Sequence, residues 1–581
     1  MGFYRRRRAR AMLHRMIWRR ACIVTLAILF LAALMVPLWL TLAPGGWTAP
    51  KFVMLLGFAG AAPWLGLCGT NGVCGALVGW RDAATRCPPG QAGDARPCAQ
   101  HGLPPATAIA VAVRNEEIGA VLSHLQRLMT ALDRTGTGAA FTPWILSDTT
   151  DPDLARAEDA AVAQASLPRL RYRRRAINTG HKAGNIMAFL DQQGSQFEAV
   201  VILDADSRMT AAAVLRLVRT LQAEPRLGIV QHLTVGLPAR SGFARLFQFG
   251  MRAGMRSWAR SVAWWQGDEA CYWGHNAALR VAPFRHHGRL APLPDGSTIL
   301  SHDQVEAAQL AAAGWGVRLL PEEDGSFEAN PPALPEFLRR ELRWLAGNLQ
   351  YWPLIGRSRL RPMGRWQLVQ AILLFISVPF YAVFLAGAAL AAATDHASPF
   401  PAGPALALTI GWLGVLYAPK WLSYAALLGS ARERQRYGGA RRVLAGILAE
   451  TAFTLLMDPV ATVAKSVGTL RLACGLRPGW LPQNRLARAV LWREAIRLLW
   501  PQTALGVTAF AAFASAGPVA VLWAAPLAGG LLLSIPLCVL TADPAFGAWL
   551  CRRGIAATPE EVAAGAPIGS ESDDVTAENR V

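Results

Sequence analysis

Two aspartates, Asp204 and Asp206, follow the apolar run AVVIL (Ala199–Leu203). Carboxylates at that spacing, just past a buried strand, can share one hard divalent cation, Mg2+ or Mn2+. Such a cation takes its remaining ligands from water and phosphate. Alone, the pair is common by chance and reads more readily as a turn or a helix cap. Other polar clusters add weight to it. Glu116 closes Arg114-Asn115-Glu116 after AIAVAV, and Asp148 follows the run WIL. Both carboxylates could accept hydrogen bonds from a base or a ribose. The stretch Asn178–Asn185 carries Lys182, Asn185 and two glycines, Gly180 and Gly184, just ahead of an apolar helical pattern. Backbone N–H groups at a helix start favour anionic oxygens, and a lysine there adds a point charge. Gly274-His275-Asn276 and Ser301-His302-Asp303 come next, then Arg340-x-x-Arg343-Trp344. Arg340 and Arg343 offer permanently charged donors for phosphate. Trp344 offers a flat face for a sugar ring.

The elements that must hold these residues are short β-branched strands alternating with helical patterns. Strands are expected over Ala108–Val113, Trp144–Leu146, Leu170–Arg174, Ala199–Leu203 and Gly228–His232, with helices over Val121–Leu132 and Leu154–Ala165. This alternation implies an α/β, doubly wound, mostly parallel sheet. Ligands of such sheets sit beyond the carboxyl ends of the strands. Four strand ends in series carry polar groups, which makes a nucleotide-sugar pocket the leading expectation. Asp151 and Asp153 stand where a helix cap is needed. Asp303 opens a helical pattern, so it is either a cap or a catalytic base. With the D-x-D pair committed to a cation, Asp303 is the carboxylate left to face an acceptor hydroxyl.

The whole chain constrains where this domain sits. It has 581 residues, a formal charge of +20 and 53% hydrophobic residues, among them 21 tryptophans. A soluble domain of that charge is rarely so apolar. A nucleic-acid binder would explain the charge but not the apolar runs. The basic start MGFYRRRRARAMLHRMIWRR precedes an apolar run too long for a signal peptide, Ala21–Leu42. A first span there leaves the basic tail in the cytosol. Residues 1–80 are therefore expected to hold the tail and two spans, and 81–365 the cytosolic α/β domain. Residues 366–540 resume the spans, with a basic cytosolic segment over about 430–498, and 541–581 form a disordered cytosolic tail. Glu450, Asp458 and Pro459 interrupt the apolar stretch 443–463, which is expected to be re-entrant or interfacial, or else two short spans. Lys420 is read as interfacial or channel-facing. The nine cysteines show no C-x-x-C, Cys87 and Cys98 being the one pair in a polar loop, so reduced thiols are expected rather than a zinc site.

Asp148, Asp204-x-Asp206, Ser301-His302-Asp303 and Arg340-x-x-Arg343-Trp344 resemble, in order and rough spacing, the motifs of processive family-2 glycosyltransferases. SDTTDPDLARAED, YRRRAINTGHKAGNI, YWGHNAALRV, ILSHDQVEAA, LRWLAGNLQ and GWLPQNR narrow the resemblance to the osmoregulated periplasmic glucan glucosyltransferases. The resemblance implies a GT-A domain within a polytopic membrane protein of the bacterial inner membrane, N- and C-termini cytosolic. It implies UDP-glucose as donor, inversion at the anomeric centre, and a β-1,2-linked glucan polymerised and exported to the periplasm. It gives Asp303 the role of base, Asp204 and Asp206 the cation and diphosphate, and Arg343 and Trp344 the diphosphate clamp and acceptor platform. Glu116 and Asp148 become uridine contacts, and Trp480, Gln483 and Arg485 a cytosolic gate. Implied partners are the growing glucan, membrane lipids and a carrier such as an acyl carrier protein or another protein of the periplasmic glucan pathway; nucleic acid is not among them. The early motif reads Ala112-x-x-Asn115-Glu116 where relatives have proline, and the base motif reads Ser-His-Asp rather than Thr-Glu-Asp. About 20 residues precede the first span, where some relatives carry long extensions. Two other readings stay open: transfer of one sugar to a lipid, and a membrane regulator that binds UDP-glucose without turnover.

Overall fold

The computed structural model describes residues 2–85, 102–395, 399–476, 484 and 486–565. Cys87, Cys98, the gate residues Trp480, Gln483 and Arg485, and the acidic C-terminal end lie outside the described residues.

Seven strands form the main sheet, in the order β3 (Arg171–Arg174), β2 (Phe141–Ser147), β1 (Thr107–Val113), β4 (Ala199–Asp204), β8 (Ala277–Arg280), β6 (Leu227–His232), β9 (Gly316–Leu320). A small second sheet orders β5 (Arg208–Met209), β10 (Ser326–Glu328) and β7 (Val235–Gly236). All five expected strands form. The main sheet is parallel except at β8, which runs antiparallel to both β4 and β6. That strand was not foreseen: AALR carries no β-branched residue, and only its place between two buried strands makes it extended.

Side chains of β1 alternate with period two. Ile109, Val111 and Val113 pack toward helices Ile118–Arg134 and Ala211–Ala223. Ala108 and Ala110 face Ile186, Phe189 and Leu190 of helix His181–Gln193. The register aligns the ends: Val113 stands opposite Ser147, and Ala112 opposite Asp204. Asp148 and the D-x-D turn therefore leave the sheet at one edge.

Helices His14–Leu42, Ala49–Asp82, Pro362–Thr394, Ala440–Ala473 and Trp492–Ser515 are each long and apolar enough to cross a membrane. Two helix pairs reach that length with a bend: Ala402–Leu416 with Ala418–Gly429 (70°), and Pro518–Leu532 with Ser534–Ala542 (58°). Pro419 and Pro536 stand in the first turn after each bend, where a missing N–H breaks the ladder. Lys420 lies just beyond the first bend, paired with buried Glu450 and 2.8 Å from the Thr454 hydroxyl.

Helix Ala440–Ala473 corrects one expectation. It runs unbroken through Pro459, so it is neither a re-entrant turn nor two short spans. Near its start, Gly446 meets Phe249 and Ala556. Near its end, Lys465 pairs with Glu341 at 2.7 Å and Gly468 meets Leu342 and Leu345. Phe249 belongs to helix Gly242–Ala253, and Glu341 to helix Leu334–Leu349. Those contacts tie both its ends to helices of the α/β block, and its own length and apolar composition also suffice to cross a membrane.

The C-terminal stretch also departs from the expected disorder. Helices Pro544–Arg553 and Pro559–Ala564 are formed, the second with a Thr558–Glu561 capping box. Glu561 pairs with Arg245 at 2.6 Å, the two side chains 4% and 1% exposed. Glu560 pairs with Arg252, which also holds Glu323. Composition alone hid these partners, which lie some three hundred residues away.

Candidate active site

Asp148 stands at the end of β2, its N–H donating to the Val113 carbonyl at 2.9 Å. The Arg175 guanidinium donates to both carboxylate oxygens, Nε at 2.7 Å and Nη2 at 2.6 Å. Arg175 also donates to the carbonyls of Thr179 and His181. Asn178 donates to the Asp148 carbonyl at 2.7 Å. The strand end and the Asn178–Asn185 stretch are thus tied into one corner. Glu116 is half-buried in the bend after β1. Its neighbour Asn115 adopts φ 54° and accepts from the N–H groups of Thr150 and Asp151, clasping the first two strand ends. Asp151 is the cap of helix Pro152–Gln164, accepting from the N–H groups of Asp153 and Leu154.

The stretch feeding the apolar pattern is itself helical from His181, with Gly180 at φ 73° as the residue before it. Gly184 does not open space for a ligand. A Cβ there would overlap the Thr179 carbonyl oxygen, so the glycine serves the turn's own closure. Lys182, in the helix's first turn, bonds Asp204 and donates to the Gly274 carbonyl at 2.8 Å. Asn185 is a second correction: buried, it donates to the Leu146 carbonyl at 3.0 Å and accepts from Arg173. It holds the helix to β2 rather than facing a substrate.

Lys182 joins the D-x-D turn to the base motif. Gly274 adopts φ 86°, and a Cβ on it would stand 3.4 Å from the Asp303 Cβ. Asp303 is the first residue of helix Asp303–Ala312. Burial pushes its pKa up, opposed by His302. The Tyr272 hydroxyl is buried without a hydrogen-bond partner and feels Glu306, Asp303 and Asp204. Asn276 is a third correction. Fully buried, it donates to the Ser326 hydroxyl and the Phe327 carbonyl, fastening β8 to the small sheet.

His275 lies 3.5 Å from the Ser207 hydroxyl and 3.4 Å from Glu328. Burial raises the Glu328 pKa, and Asp206 and Asp204 add to that rise against His275 and Arg340. Glu328 is therefore a carboxylate of this same cleft that the sequence reading did not pick out. Its signal depends on a two-residue strand pairing. Arg340 is the fourth correction: its guanidinium sits 4.4 Å from the Trp344 ring centre, with Phe247 and Phe337 at 5.3 and 5.6 Å. It braces Trp344, whose ring is 46% exposed and free to carry a sugar face. Arg343 is half-buried on the same helix.

Arg175 thus links Asp148 to the turn that carries Lys182, Lys182 bonds both Asp204 and the Gly274 carbonyl, and Gly274 adjoins Asp303. Among the described residues no group of three or more His, Cys, Asp or Glu side chains gathers to hold a metal. The D-x-D pair still suits Mg2+ or Mn2+, since such ions accept one or two carboxylates and complete their shell with phosphate and water.

The comparisons with known proteins give the family. Residues 109–288 match the model of glycosyl transferase family 2, and residues 199–427 that of glycosyl transferase family group 2. Those matches set the class, a family-2 glycosyltransferase. Glucans biosynthesis glucosyltransferase H of Rhodopseudomonas palustris (strain TIE-1) is 34% identical over 550 residues, 90% of this chain and 75% of its own. The protein of that name from Xylella fastidiosa (strain 9a5c) is 35% identical, covering 79% of this chain and 75% of its own. The chain belongs to the glucans biosynthesis glucosyltransferase H family. Among solved structures, a mannosyltransferase of Pyrobaculum calidifontis in complex with GDP-Man and Mn2+ covers 72% of this chain and 99% of its own. Its identity is 18% and its TM-score 0.41, too distant to bear on the site.

Proposed function

We propose that this chain transfers glucosyl units from UDP-glucose, with inversion, onto a growing glucan and exports the polymer across the bacterial inner membrane. The observation that supports this is that Lys182 bonds both Asp204 and the carbonyl of Gly274, the residue adjoining Asp303, in the turn that Arg175 ties to Asp148. A uridine lies against Asp148 and Glu116, and the diphosphate against Lys182 and Arg343. When bound, a divalent cation on Asp204 and Asp206 offsets the charge of the departing UDP. Asp303 takes the proton of the acceptor hydroxyl as that oxygen attacks the anomeric carbon. Trp344, braced by Arg340, stacks the acceptor ring. Cytosolic termini on the α/β block's side need an even number of crossings among the five single helices and two bent pairs that are long and apolar enough.

Incubating the purified protein with UDP-glucose and Mg2+, then sizing and linkage-mapping the product by digestion and mass spectrometry, tests the reading. A β-1,2-linked polymer supports it. A single glucosyl-lipid moves the chain to lipid glycosylation, and binding without turnover makes it a regulator. Asp206→Asn is expected to lower the rate by roughly 10²-fold, comparable with losing one group that stabilises developing negative charge. Initial rates against Mg2+ concentration check this; an unchanged metal dependence removes Asp206 from the cation site.

A further inference from the structure

His302 and Glu306 flank the base candidate on its own helix, one residue before Asp303 and three after. The His302 Nδ1 lies 2.9 Å from the Glu306 Oε2, and the two side chains are 11% and 3% exposed. Nothing in the transfer step so far uses either of them. Gly274 covers this pair as well as the base: a Cβ there would stand 3.6 Å from the His302 Cε1. A buried ion pair costs desolvation that good geometry only offsets, so its place beside a reacting carboxylate asks for a role.

We propose that His302 and Glu306 form a positioning pair that keeps Asp303 ionised and aimed as the proton acceptor, acting through Asp303 and not on the sugar. This rests on Asp303 being the base. Burial disfavours charge on His302, but Glu306 and Asp303 together reverse that, so the imidazole holds its proton above its usual pH. At Asp303, burial favours the neutral acid, and His302 opposes burial more strongly than Glu306 reinforces it. The other groups facing this spot cannot take over. Cys271 is pushed up to about 12 by burial, and burial lifts Tyr272 and Tyr351 well above their usual range, so all three stay neutral. Tyr351 donates to the Ser301 carbonyl at 2.8 Å. Lys182, from the neighbouring helix, is committed to Asp204.

The test is the pH dependence of kcat for the full-length protein in lipid nanodiscs, alongside UDP inhibition as a check on the donor site. His302→Gln removes the cation next to Asp303, so the acid limb should move to higher pH by about one unit. UDP affinity should be unchanged. His302→Lys restores the charge and should return the limb toward wild type. Glu306→Gln lets the imidazole lose its proton earlier but also removes an anion that itself raises Asp303, so its limb should lie closer to wild type than that of His302→Gln. Uniform loss of kcat with an unmoved limb in His302→Gln, or in His302→Asn if His302→Gln does not fold, would mean a purely structural pair and overturn the proposal. Failure of the limb to return in His302→Lys overturns it too. Full turnover in Asp303→Asn would instead defeat the assignment of the base itself, a separate outcome.

Discussion

Asp303→Asn is expected to reduce glucosyl transfer by about 10³-fold while UDP-glucose still binds. The asparagine keeps the shape and the place at the start of helix Asp303–Ala312 but cannot take a proton. General-base assistance is worth roughly 10²–10⁴ in rate, and no second carboxylate replaces it. Asp204 is tied to Lys182, and Glu306 to His302. Glu328 is paired with His275. UDP release and glucan yield, measured with UDP-glucose affinity, separate the step from binding. Loss of affinity equal to the loss of rate would place Asp303 in donor binding instead. Because burial raises the pKa of Asp303, the wild-type acid limb should stand above the ordinary carboxylate range, with activity falling as pH drops through it.

The second large effect is on stability. Glu561→Ala should cost about 3–5 kcal/mol, the size expected when one partner of a buried pair is removed and the other charge stays buried. Arg245 is 1% exposed, and its remaining contacts are carbonyls of Ile555 and Ala239. The mutation also opens the capping box at Thr558. Glu560→Ala should cost clearly less, because Arg252 keeps Glu323. Thermal unfolding in detergent, wild type beside both variants, ranks the three. Equal melting of Glu561→Ala and wild type would mean the C-terminal helices do not dock as described.

What could be read in the residues depended on how local each signal was. AIAVAV and AVVIL announce strands because uninterrupted apolar runs leave little choice, and the polar groups past their ends mark the edge where a ligand belongs. The span pattern was legible for the same reason. Arg175 was not: of three consecutive arginines, only the folded corner decides which one meets Asp148. Asn185 misled because an asparagine in a glycine-rich turn looks available, whereas the helix begins before it and buries it. Glu450 reads as a break in an apolar stretch, yet Lys420 and Tyr424 absorb its charge and the helix continues. Each of these depends on a partner from a distant element, which spacing does not reveal.

Helix Ala440–Ala473 has one more consequence. The α/β block grips it toward both ends, through Phe249 and Glu341, and Gly530 of a bent span presses on it midway at Leu456. Catalytic body and bilayer bundle are thereby welded into a single chassis. On the proposed function, the growing glucan would be threaded past walls fixed to the same body that adds each sugar.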